Sequence, residues 1–458
     1  MKGRLSEVAA ATGGRLAGAD TAFAGVSTDS RSIERGQLFF ALRGERFDGH
    51  AYVAAAQQRG AAGAVVERPV DGGGAQVVVP DVLAALAALA RHWRSRCRAL
   101  VIGVGGSNGK TTTKELLASI LREAGPTLAT SGNLNNHIGV PLTLLRLEPA
   151  HRFAVIEMGA NHPGEIAALA ALAAPSIALV TNAGDEHLEG FGDLDGVARA
   201  EGEMFAALAA DGTAVINADD PFHGLWRTMS RGSRVLGFGI ESPAEVRASS
   251  IQGRIEAGAF VTVFTLALPG AKSRVRLHLA GRHNVLNAAG AAAAAHAAGA
   301  GMAEIVAGLG RVRPVSGRLQ LRAGARGAWI VDDSYNANPS SMRAGIDVLC
   351  SLPGEHWLVL GEMAELGAAT ESSHIAVGDY ARRAGITRLF AIGDAARHAV
   401  AAYGNRAAWY ADAQGLAEDV AAGLDAGVTV LVKGSRVNRL ERVVERLAAP
   451  PAAAGNGN

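Results

Sequence analysis

Short apolar runs alternate with amphipathic stretches through the middle of the chain. The amphipathic stretches fall at 110–124, 163–173 and 194–210, and each lies between two runs that are apolar at consecutive positions. Strands that are apolar on both faces and alternate with helices are typical of a parallel sheet covered on both sides. The runs that we predict as its strands are ALVIGV, FAVIEMG, IALVTNAG and TAVINAD.

The pattern changes on both sides of this region. Before it lies a smaller strand–helix unit, joined to it by the helical stretch DVLAALAALARHWRSR. After it come hairpin-like alternation at 244–279, an alanine-rich helix at 282–298 and a second strand–helix series without a phosphate loop. We predict an α/β fold with three domains. Their bounds are 1–80 for a small N-terminal α/β domain, 81–313 for a central domain with a mostly parallel sheet and the connecting helix, 314–448 for a C-terminal Rossmann-like domain, and 449–458 for a disordered tail.

Composition narrows the class of protein. The 44 Lys and Arg residues nearly balance the 43 Asp and Glu residues, which argues against a general nucleic-acid-binding surface. The two cysteines, Cys97 and Cys350, fit no CxxC spacing, and we expect buried thiols in a reducing compartment. The sequence has no signal-peptide pattern and no apolar run long enough to span a bilayer, so we expect a cytoplasmic protein.

A glycine-rich loop, GSNGKTT, follows the first predicted strand of the central region. Small residues let backbone N–H groups converge on phosphate oxygens, and the helix that begins near Lys110 adds its positive dipole end. Lys110 can reach the outer phosphates, and Thr111 can offer its hydroxyl to Mg²⁺. Val104 stands where the full P-loop pattern has glycine, so only the shorter G-x-x-G-K-T is met. The strand before and the helix after the loop favour nucleotide binding over a glycine turn without a ligand.

Acidic residues and a histidine follow two of the predicted strands. Glu157 lies near the end of FAVIEMG, and Asp185, Glu186 and His187 follow IALVTNAG. Because ligands of open α/β sheets bind at the carboxyl ends of strands, we expect these side chains beside the phosphates. Mg²⁺ prefers oxygen ligands, so the residues alone favour Glu157, and they leave His187 as an ordinary loop histidine. The guanine signature N-K-x-D and the kinase motifs H-R-D and D-F-G are absent.

Several stretches, spread over nearly the whole chain, together resemble the ATP-dependent Mur ligases. The motifs in the middle of the chain are shared with folylpolyglutamate synthetase. The motifs GANHPGEIA, DDSYNANPSSM, GEMAELG and KGSR are most similar to the branch of the family that adds D-alanyl-D-alanine, and the DNPR motif of a diaminopimelate-adding relative is absent. The other stretches are STDSRSIERGQLFFALRGERFDGH, GSNGKTTTKELL, GNLNNHIGVPLTLL, TNAGDEHLEGFG, GRHNVLNA and VSGRLQ.

The resemblance implies a UDP-binding N-terminal domain, a central P-loop ATPase and a C-terminal ligase domain. It implies that ATP phosphorylates the terminal carboxylate of UDP-N-acetylmuramoyl-tripeptide, in peptidoglycan precursor synthesis. The amine of D-alanyl-D-alanine then attacks the acyl phosphate to give an amide, ADP and phosphate. ATP and Mg²⁺ are the implied cofactors. We expect a monomer that binds neither nucleic acid nor membrane.

The matching motifs also imply roles for single residues. The catalytic set is Lys110, His187, Glu201 and Arg318. The metal ligands are Thr111, Glu157, His187 and Glu201. The ATP-binding set is Gly106, Ser107, Asn108, Gly109, Lys110, Thr111, Thr112, Asn284 at adenine, Arg318 at the phosphates and Asp333 at the ribose. The substrate-binding set is Ser30 and Arg31 for uridine, Asn135 and Asn136 near the UDP-sugar, and Lys433, Ser435 and Arg436 for the dipeptide carboxylate.

Some of these residues also have simpler interpretations. Asn284 could be a helix N-cap, Arg318 a solvated surface charge, and Asp333 a turn cap in DDSYNANP. Ser30 and Arg31 could be ordinary turn residues. The sequence leaves both interpretations open.

One position departs from the family pattern. In GVARAEGEMF, Glu201 stands where the resemblance leads us to expect a lysine that CO₂ carbamylates and whose carbamate helps to hold a second Mg²⁺. A glutamate presents paired anionic oxygens permanently, so we expect Glu201 to replace the carbamate. Alternatively, Glu201 is a surface residue of an amphipathic helix, with Glu203 nearby.

Two other functions stay open from the sequence. One is a ligase of the same superfamily that adds a different amino acid, including glutamate to folate. The other is an ATP-driven conformational switch that hydrolyses ATP without ligation.

Overall fold

Four sheets follow one another along the computed structural model, which describes residues 1–44 and 47–449. The predicted tail, 449–458, lies outside the described residues except for Ala449. Within the described ranges, no helix is long and apolar enough to cross a membrane. The α/β architecture predicted from the sequence is confirmed.

The first unit is built from short strands and short helices, and the connecting helix follows it. Their bounds are β1 (Lys2–Arg4), α1 (Leu5–Thr12), β2 (Arg15–Ala17), β3 (Ala22–Ala24), β4 (Val26–Ser27), β5 (Leu38–Phe40), α2 (Val53–Gln58), β6 (Gly63–Val66), β7 (Gln76–Val78) and α3 (Val82–Ser95). One sheet has the order β2-β7-β6-β5-β4, and β1 pairs separately with β3. The helix α3 leads to the next unit, as the sequence predicts.

The second unit holds a nine-stranded sheet. Its elements are β8 (Leu100–Gly105), α4 (Lys110–Ala124), β9 (Thr127–Ala129), α5 (Gly139–Leu144), β10 (Phe153–Glu157), α6 (Glu165–Ala173), β11 (Ile177–Val180), α7 (Leu188–Phe191), α8 (Leu194–Ala206), β12 (Thr213–Asn217), α9 (His223–Met229), β13 (Arg234–Gly239), β14 (Val246–Glu256), β15 (Ala259–Leu268), β16 (Ala271–Leu277), α10 (Arg282–Ala297) and α11 (Met302–Arg311). The strand order is β16-β15-β14-β13-β12-β11-β8-β10-β9. The strands from β9 to β14 are parallel, and β14 to β16 form the antiparallel edge.

The third unit holds a six-stranded sheet in the order β17-β18-β22-β19-β20-β21, in which only β17 is antiparallel to its neighbour. Its elements are β17 (Gln320–Ala323), β18 (Trp329–Asp333), α12 (Pro339–Cys350), β19 (Glu355–Gly361), α13 (Thr370–Ala384), β20 (Arg388–Ile392), α14 (Ala396–Tyr403), β21 (Ala407–Tyr410), α15 (Ala413–Gly423), β22 (Val428–Lys433) and α16 (Glu441–Leu447). The proposed domain limits at 80 and 313 stay a proposal, which the confinement of each sheet to one of these units supports.

Some predicted elements have different limits. The helix predicted at 163–173 begins at Glu165, because Gly164 has a left-handed φ of 87° and the carboxylate of Glu203 accepts the Gly164 and Ala167 N–H groups. The helix predicted at 194–210 ends at Ala206. Cys97 and Cys350 are free thiols, but they are half-buried rather than buried as predicted.

The alanine-rich helix α10 is central to the core of the second unit. Its run from Ala291 to Ala295 is fully buried, and the helix packs against α4, β13 and β14. Because methyl side chains let these elements approach closely, the residues near the start of α10 lie beside the phosphate loop.

The neighbouring helix α11 meets α4 through a glycine. A Cβ atom added at Gly308 would lie 2.4 Å from the Cα of Ile120, and the Ser119 hydroxyl donates to the Gly308 carbonyl at 2.8 Å. The backbones of the two helices are therefore in direct contact, and no side chain fits between them.

We expect Gly308→Ala to force α11 away from α4 and to destabilise the protein by about 1–3 kcal/mol, the usual cost of overpacking. Gly310→Ala, on the same helix, is the matched control. A Cβ atom added at Gly310 would have the Arg276 carbonyl oxygen as its nearest neighbour, at an ordinary contact distance of 3.7 Å. The control variant should keep the midpoint of thermal unfolding or raise it, since alanine favours a helix over glycine. Equal midpoints for the two variants would contradict this account of the packing.

Candidate active site

The phosphate loop runs from the end of β8 to the start of α4. Gly106 has a φ of 111°, and a Cβ atom there would lie 2.1 Å from the Thr181 hydroxyl, so only glycine fits. The side-chain oxygen of Asn182 accepts the Asn108 N–H at 3.0 Å, and the Asn182 carbonyl accepts the Ser107 N–H at 2.9 Å. The loop is therefore fixed by the segment that follows β11 before any ligand binds.

Lys110 lies inside the loop and faces carboxylates. Its Nζ is 3.0 Å from the Glu186 carboxylate and donates to the Ser107 carbonyl at 3.1 Å, and its side chain is only 15% exposed. Burial lowers the pKa of Lys110, but the carboxylates of Glu186 and Glu201 outweigh it and raise the pKa overall. Lys110 is therefore a stable cation. The sequence placed Glu186 near the phosphates but did not show its pairing with Lys110.

Glu157 ends β10 beside the start of α4. Its Oε1 accepts from the Asn135 amide at 2.9 Å and from the Thr111 hydroxyl at 3.3 Å. Its Oε2 is buried and has no hydrogen-bond partner, and the Lys114 Nζ is 3.8 Å away. A buried anionic oxygen without a donor is costly, so the pair of Glu157 and Thr111 fits a hard cation such as Mg²⁺. The sequence did not predict that Lys114 lies near Glu157, because its position suggests an exposed helix face.

Glu201 lies behind the phosphate loop rather than on a surface. It is 3% exposed, and its Oε2 accepts the Gly106 N–H at 2.6 Å. Burial raises the pKa of Glu201 to about 7, an effect that the Lys110 cation partly offsets. The alternative of an exposed glutamate on α8 is therefore wrong.

His187 precedes α7 and has a left-handed φ of 49°. It lines a cavity of about 260 Å³ together with Lys110, Thr111, Glu157 and Glu186. Within the described part of the chain, no three His, Cys, Asp or Glu side chains converge into a ready-made metal cage. The structure thus brings Thr111, Glu157 and His187 to one cavity, which Glu201 does not line.

A second cavity, of about 330 Å³, lies between α10 and the third unit and is lined by Asn284, Asn287, Arg318 and Asp333, among others. Asn284 is buried within α10, where its amide donates to the Ala280 carbonyl at 2.8 Å and its Oδ1 accepts from Asn287 at 3.1 Å. Gly281 is the N-cap of this helix, so the alternative N-cap role of Asn284 is wrong.

Asp333 and Lys433 form an ion pair in this second cavity. They lie opposite each other in the parallel register of β18 and β22, and the Lys433 Nζ is 2.6 Å from the Asp333 Oδ2. Asp333 also accepts the Leu319 N–H at 3.1 Å. The carboxylate that caps the following turn is instead that of Asp332, which accepts the Ser334 N–H at 3.2 Å.

Arg318 and Arg436 both lie against one aromatic ring. The Arg318 guanidinium carbon is 4.3 Å from the centre of the Tyr335 ring, and that of Arg436 is 5.8 Å away. Arg318 lines both cavities, so it is not a solvated surface charge. Ser435 is buried and accepts the Ala364 N–H at 2.8 Å, whereas Arg436 is 69% exposed.

The other predicted substrate residues are distributed unevenly. Asn135 lines the smaller cavity, beside His187. Asn136 instead caps the start of α5 by accepting the Ile138 and Gly139 N–H groups. Arg31 forms an exposed ion pair with Asp29, and neither it nor Ser30 lines these two cavities.

Direct hydrogen bonds join the phosphate loop to the third unit. The side-chain amide of Asn108 donates to the Ser340 hydroxyl, and its side-chain oxygen Oδ1 accepts from the Asn338 amide, both at 2.9 Å. Arg343 lies 3.6 Å from Asp185 on the same interface. The role of Asn338 and Ser340 in this interface could not be predicted from the sequence, although both lie in the motif DDSYNANPSSM.

Three family models match successive parts of the chain. They are the Mur ligase family catalytic domain at 22–94, the Mur ligase middle domain at 104–295, and the Mur ligase glutamate ligase domain at 317–436. The middle-domain match includes the phosphate loop and Glu157, and the last match includes Arg318 and Asp333.

Curated relatives share the full length of the chain. The UDP-N-acetylmuramoyl-tripeptide–D-alanyl-D-alanine ligase of Escherichia coli K12 is 42% identical over 97% of this chain and 98% of that protein. The enzyme of the same name from Bacillus subtilis 168 is 34% identical, with 94% of each chain covered.

Solved structures show the same architecture. A crystal structure of MurF from Acinetobacter baumannii superposes with a TM-score of 0.91 and 35% identity over 97% of this chain and 98% of that chain. MurF from Thermotoga maritima in complex with ADP gives 0.81 and 28% identity, with 92% and 96% covered. Because these similarities extend along nearly its whole length, the chain belongs to the Mur ligase family.

Proposed function

We propose that this protein is the ATP-dependent ligase that joins D-alanyl-D-alanine to UDP-N-acetylmuramoyl-tripeptide in peptidoglycan precursor synthesis. The terminal carboxylate of the tripeptide attacks the γ-phosphorus of ATP, and ADP leaves. The dipeptide amine then attacks the resulting acyl phosphate, loses a proton and expels phosphate as the amide forms. The full-length relatives with this activity in their names support the assignment. We place the reaction in the cytoplasm, where nucleotide-linked precursors and ATP meet.

The observation that carries this proposal is that the two cavities meet at shared residues. Asn108, Gly109, Arg318, Ser341 and Lys433 line both of them. A nucleoside in the larger cavity, near Asn284 and Asp333, would direct its phosphates through this junction towards Lys110. The smaller cavity then offers room for the γ-phosphate and the carboxylate that attacks it.

The residues of the smaller cavity neutralise charge and hold the reacting groups in place. Phosphoryl transfer depends mostly on position and on neutralising the phosphate oxygens. Lys110 is held as a cation for this purpose, and the loop N–H groups and the start of α4 add positive potential. Arg318 stacks on Tyr335 at the junction, where it can contact the phosphates from the third unit.

The site fits Mg²⁺, which when bound would neutralise phosphate oxygens and orient them. Thr111 and Glu157 are the proposed first ligands, because the Glu157 Oε2 is buried beside the loop without a partner. His187 is the proposed ligand on the other side of the cavity. We propose that Glu201 supplies a carboxylate in place of a carbamylated lysine. This role requires its ionised form, since burial raises the pKa of Glu201 to about 7, and it requires a shift or a bridging water, because its Oε2 now contacts the Gly106 N–H.

The test of the reaction is mass spectrometry of the products from ATP, UDP-N-acetylmuramoyl-tripeptide and D-alanyl-D-alanine. We expect the amide-linked UDP-muramoyl pentapeptide, and consumption of ATP that requires the tripeptide. ATP consumption at the same rate without either acceptor, and without an amide product, would instead indicate the conformational switch. Product formation with a different amine alone would indicate another ligase of the superfamily.

Glu201 makes the activity independent of bicarbonate, because its carboxylate needs no CO₂. We expect equal turnover in CO₂-depleted buffer with and without added bicarbonate. Glu201→Ala should lower kcat about 10- to 100-fold, the usual effect of removing a group that supports a metal site. The informative control is Glu201→Lys, whose residual activity should rise when bicarbonate is added. Strong stimulation of the unaltered protein by bicarbonate, or normal turnover of Glu201→Ala, would refute the role.

Arg436 is our choice for the carboxylate of the incoming dipeptide, because it is exposed while Lys433 and Ser435 are buried and hydrogen-bonded. We expect Arg436→Ala to raise the KM for D-alanyl-D-alanine about tenfold or more, as for the loss of a charge-assisted hydrogen bond. The KM for ATP should change little. Arg446→Ala, an exposed arginine on α16, is the control. An unchanged KM for the dipeptide in Arg436→Ala would show that this arginine does not bind it.

A further inference from the structure

A single close contact joins the loop after β19 to the histidine of the smaller cavity. The His187 Nδ1 lies 2.5 Å from the Glu365 Oε2, and the two residues belong to different units of the chain. Next to this contact, the backbone of Gly367 packs against Glu189 at the start of α7. The contact therefore belongs to a docked loop and is not an isolated surface pair.

Both partners have backbone conformations that side chains rarely adopt. His187 has a φ of 49°, and Glu365 has a φ of 64°. Such conformations are costly for residues other than glycine, and they cluster at functional sites where the surrounding structure holds them in place. Here both residues belong to one and the same contact between the units.

The contact has the partners and the distance of a support for a ligand histidine. A histidine that binds a metal through one ring nitrogen commonly donates its other N–H to a carboxylate, which fixes the ring orientation and tautomer. The Glu365 carboxylate occupies Nδ1, so Nε2 is the nitrogen left for the cavity that His187 lines. Glu365 lies in the motif GEMAELG, but the motif alone does not show this contact with His187.

The loop that carries Glu365 is fixed to the loop proposed to bind the dipeptide. The Ala364 N–H donates to the Ser435 hydroxyl at 2.8 Å, and the Ser435 N–H donates to the Glu362 carbonyl at 3.1 Å. The Asn438 amide also donates to the Glu362 carbonyl, at 2.9 Å. A displacement of the dipeptide loop would therefore move Glu365 as well.

We propose that Glu365 is a positioning residue for the ligation reaction. It orients His187 in the smaller cavity only when the third unit is docked on the second, so the cavity is complete only in the closed enzyme. Through Ser435, the same contact connects the dipeptide loop to the phosphate site. This inference rests on the proposed function.

Glu365→Gly separates the role of the carboxylate from that of the fold. Glycine adopts a positive φ without cost, so we expect the variant to unfold at the same temperature as the unaltered protein or higher. Its kcat should nevertheless fall about 10- to 100-fold, with less than a threefold change in the KM for the dipeptide. Glu365→Gln keeps an oxygen that can accept from Nδ1–H and should recover most of the kcat. In the protein without substrates, amide hydrogen exchange at 185–191 should be faster in Glu365→Gly.

The matched control is Glu371→Ala. Glu371 is an exposed glutamate of the same unit, and it also lies near a histidine, with its carboxylate 3.7 Å from the His398 Nδ1. The Glu371→Ala variant should leave the kcat, the KM for the dipeptide and the amide hydrogen exchange at 185–191 unchanged. A normal kcat in Glu365→Gly, or a loss confined to the KM for the dipeptide, would overturn the proposal. If the unaltered protein forms no amide product, the proposed function fails, but faster exchange at 185–191 in Glu365→Gly would still show that Glu365 orders the His187 loop.

Discussion

The interaction on which the site depends is the attraction between one lysine and the carboxylates around it. Glu157, Glu186 and Glu201 all act on Lys110 and together raise its pKa against the effect of burial. Lys110 and Lys114 face three carboxylates, of which Glu201 is only partly ionised near neutral pH because burial raises its pKa to about 7, so the two lysines leave no excess of positive charge. A triphosphate and a carboxylate substrate would add negative charge, so they can enter only with a divalent cation. The unpartnered oxygen of Glu157 marks where that cation fits.

The fold makes this balance depend on two units at once. The carboxyl ends of β8, β10 and β11 lead into the phosphate loop, Glu157 and the loop that carries Glu186 and His187. The carboxyl ends of β18 and β22 contribute Asp333, Tyr335 and Lys433 from the opposite side. The hydrogen bond that Asn108 donates to Ser340 and the one that it accepts from Asn338 close the interface. Closure excludes water from the acyl phosphate, which water would otherwise hydrolyse.

The sequence was sufficient for the architecture and for the parts of the site that local pattern determines. The run of apolar strands predicts the central sheet, and GSNGKTT after a strand predicts the phosphate loop. Contacts between distant segments were not predictable, because the identity of a side chain does not show which distant residue it contacts. The ion pair of Asp333 with Lys433 depends on strand register, and that of His187 with Glu365 depends on docking between units. The sequence left the burial of Glu201 open, since an amphipathic α8 could also expose this residue.

The central claim is that the phosphoryl group of ATP activates an acid for attack by an amine. The most direct measurement uses UDP-N-acetylmuramoyl-tripeptide with ¹⁸O in its terminal carboxylate, and follows the isotope in the released phosphate by mass spectrometry. If the carboxylate attacks the γ-phosphorus, one labelled oxygen passes into inorganic phosphate for each amide formed. Amide formation accompanied by unlabelled phosphate would contradict the account.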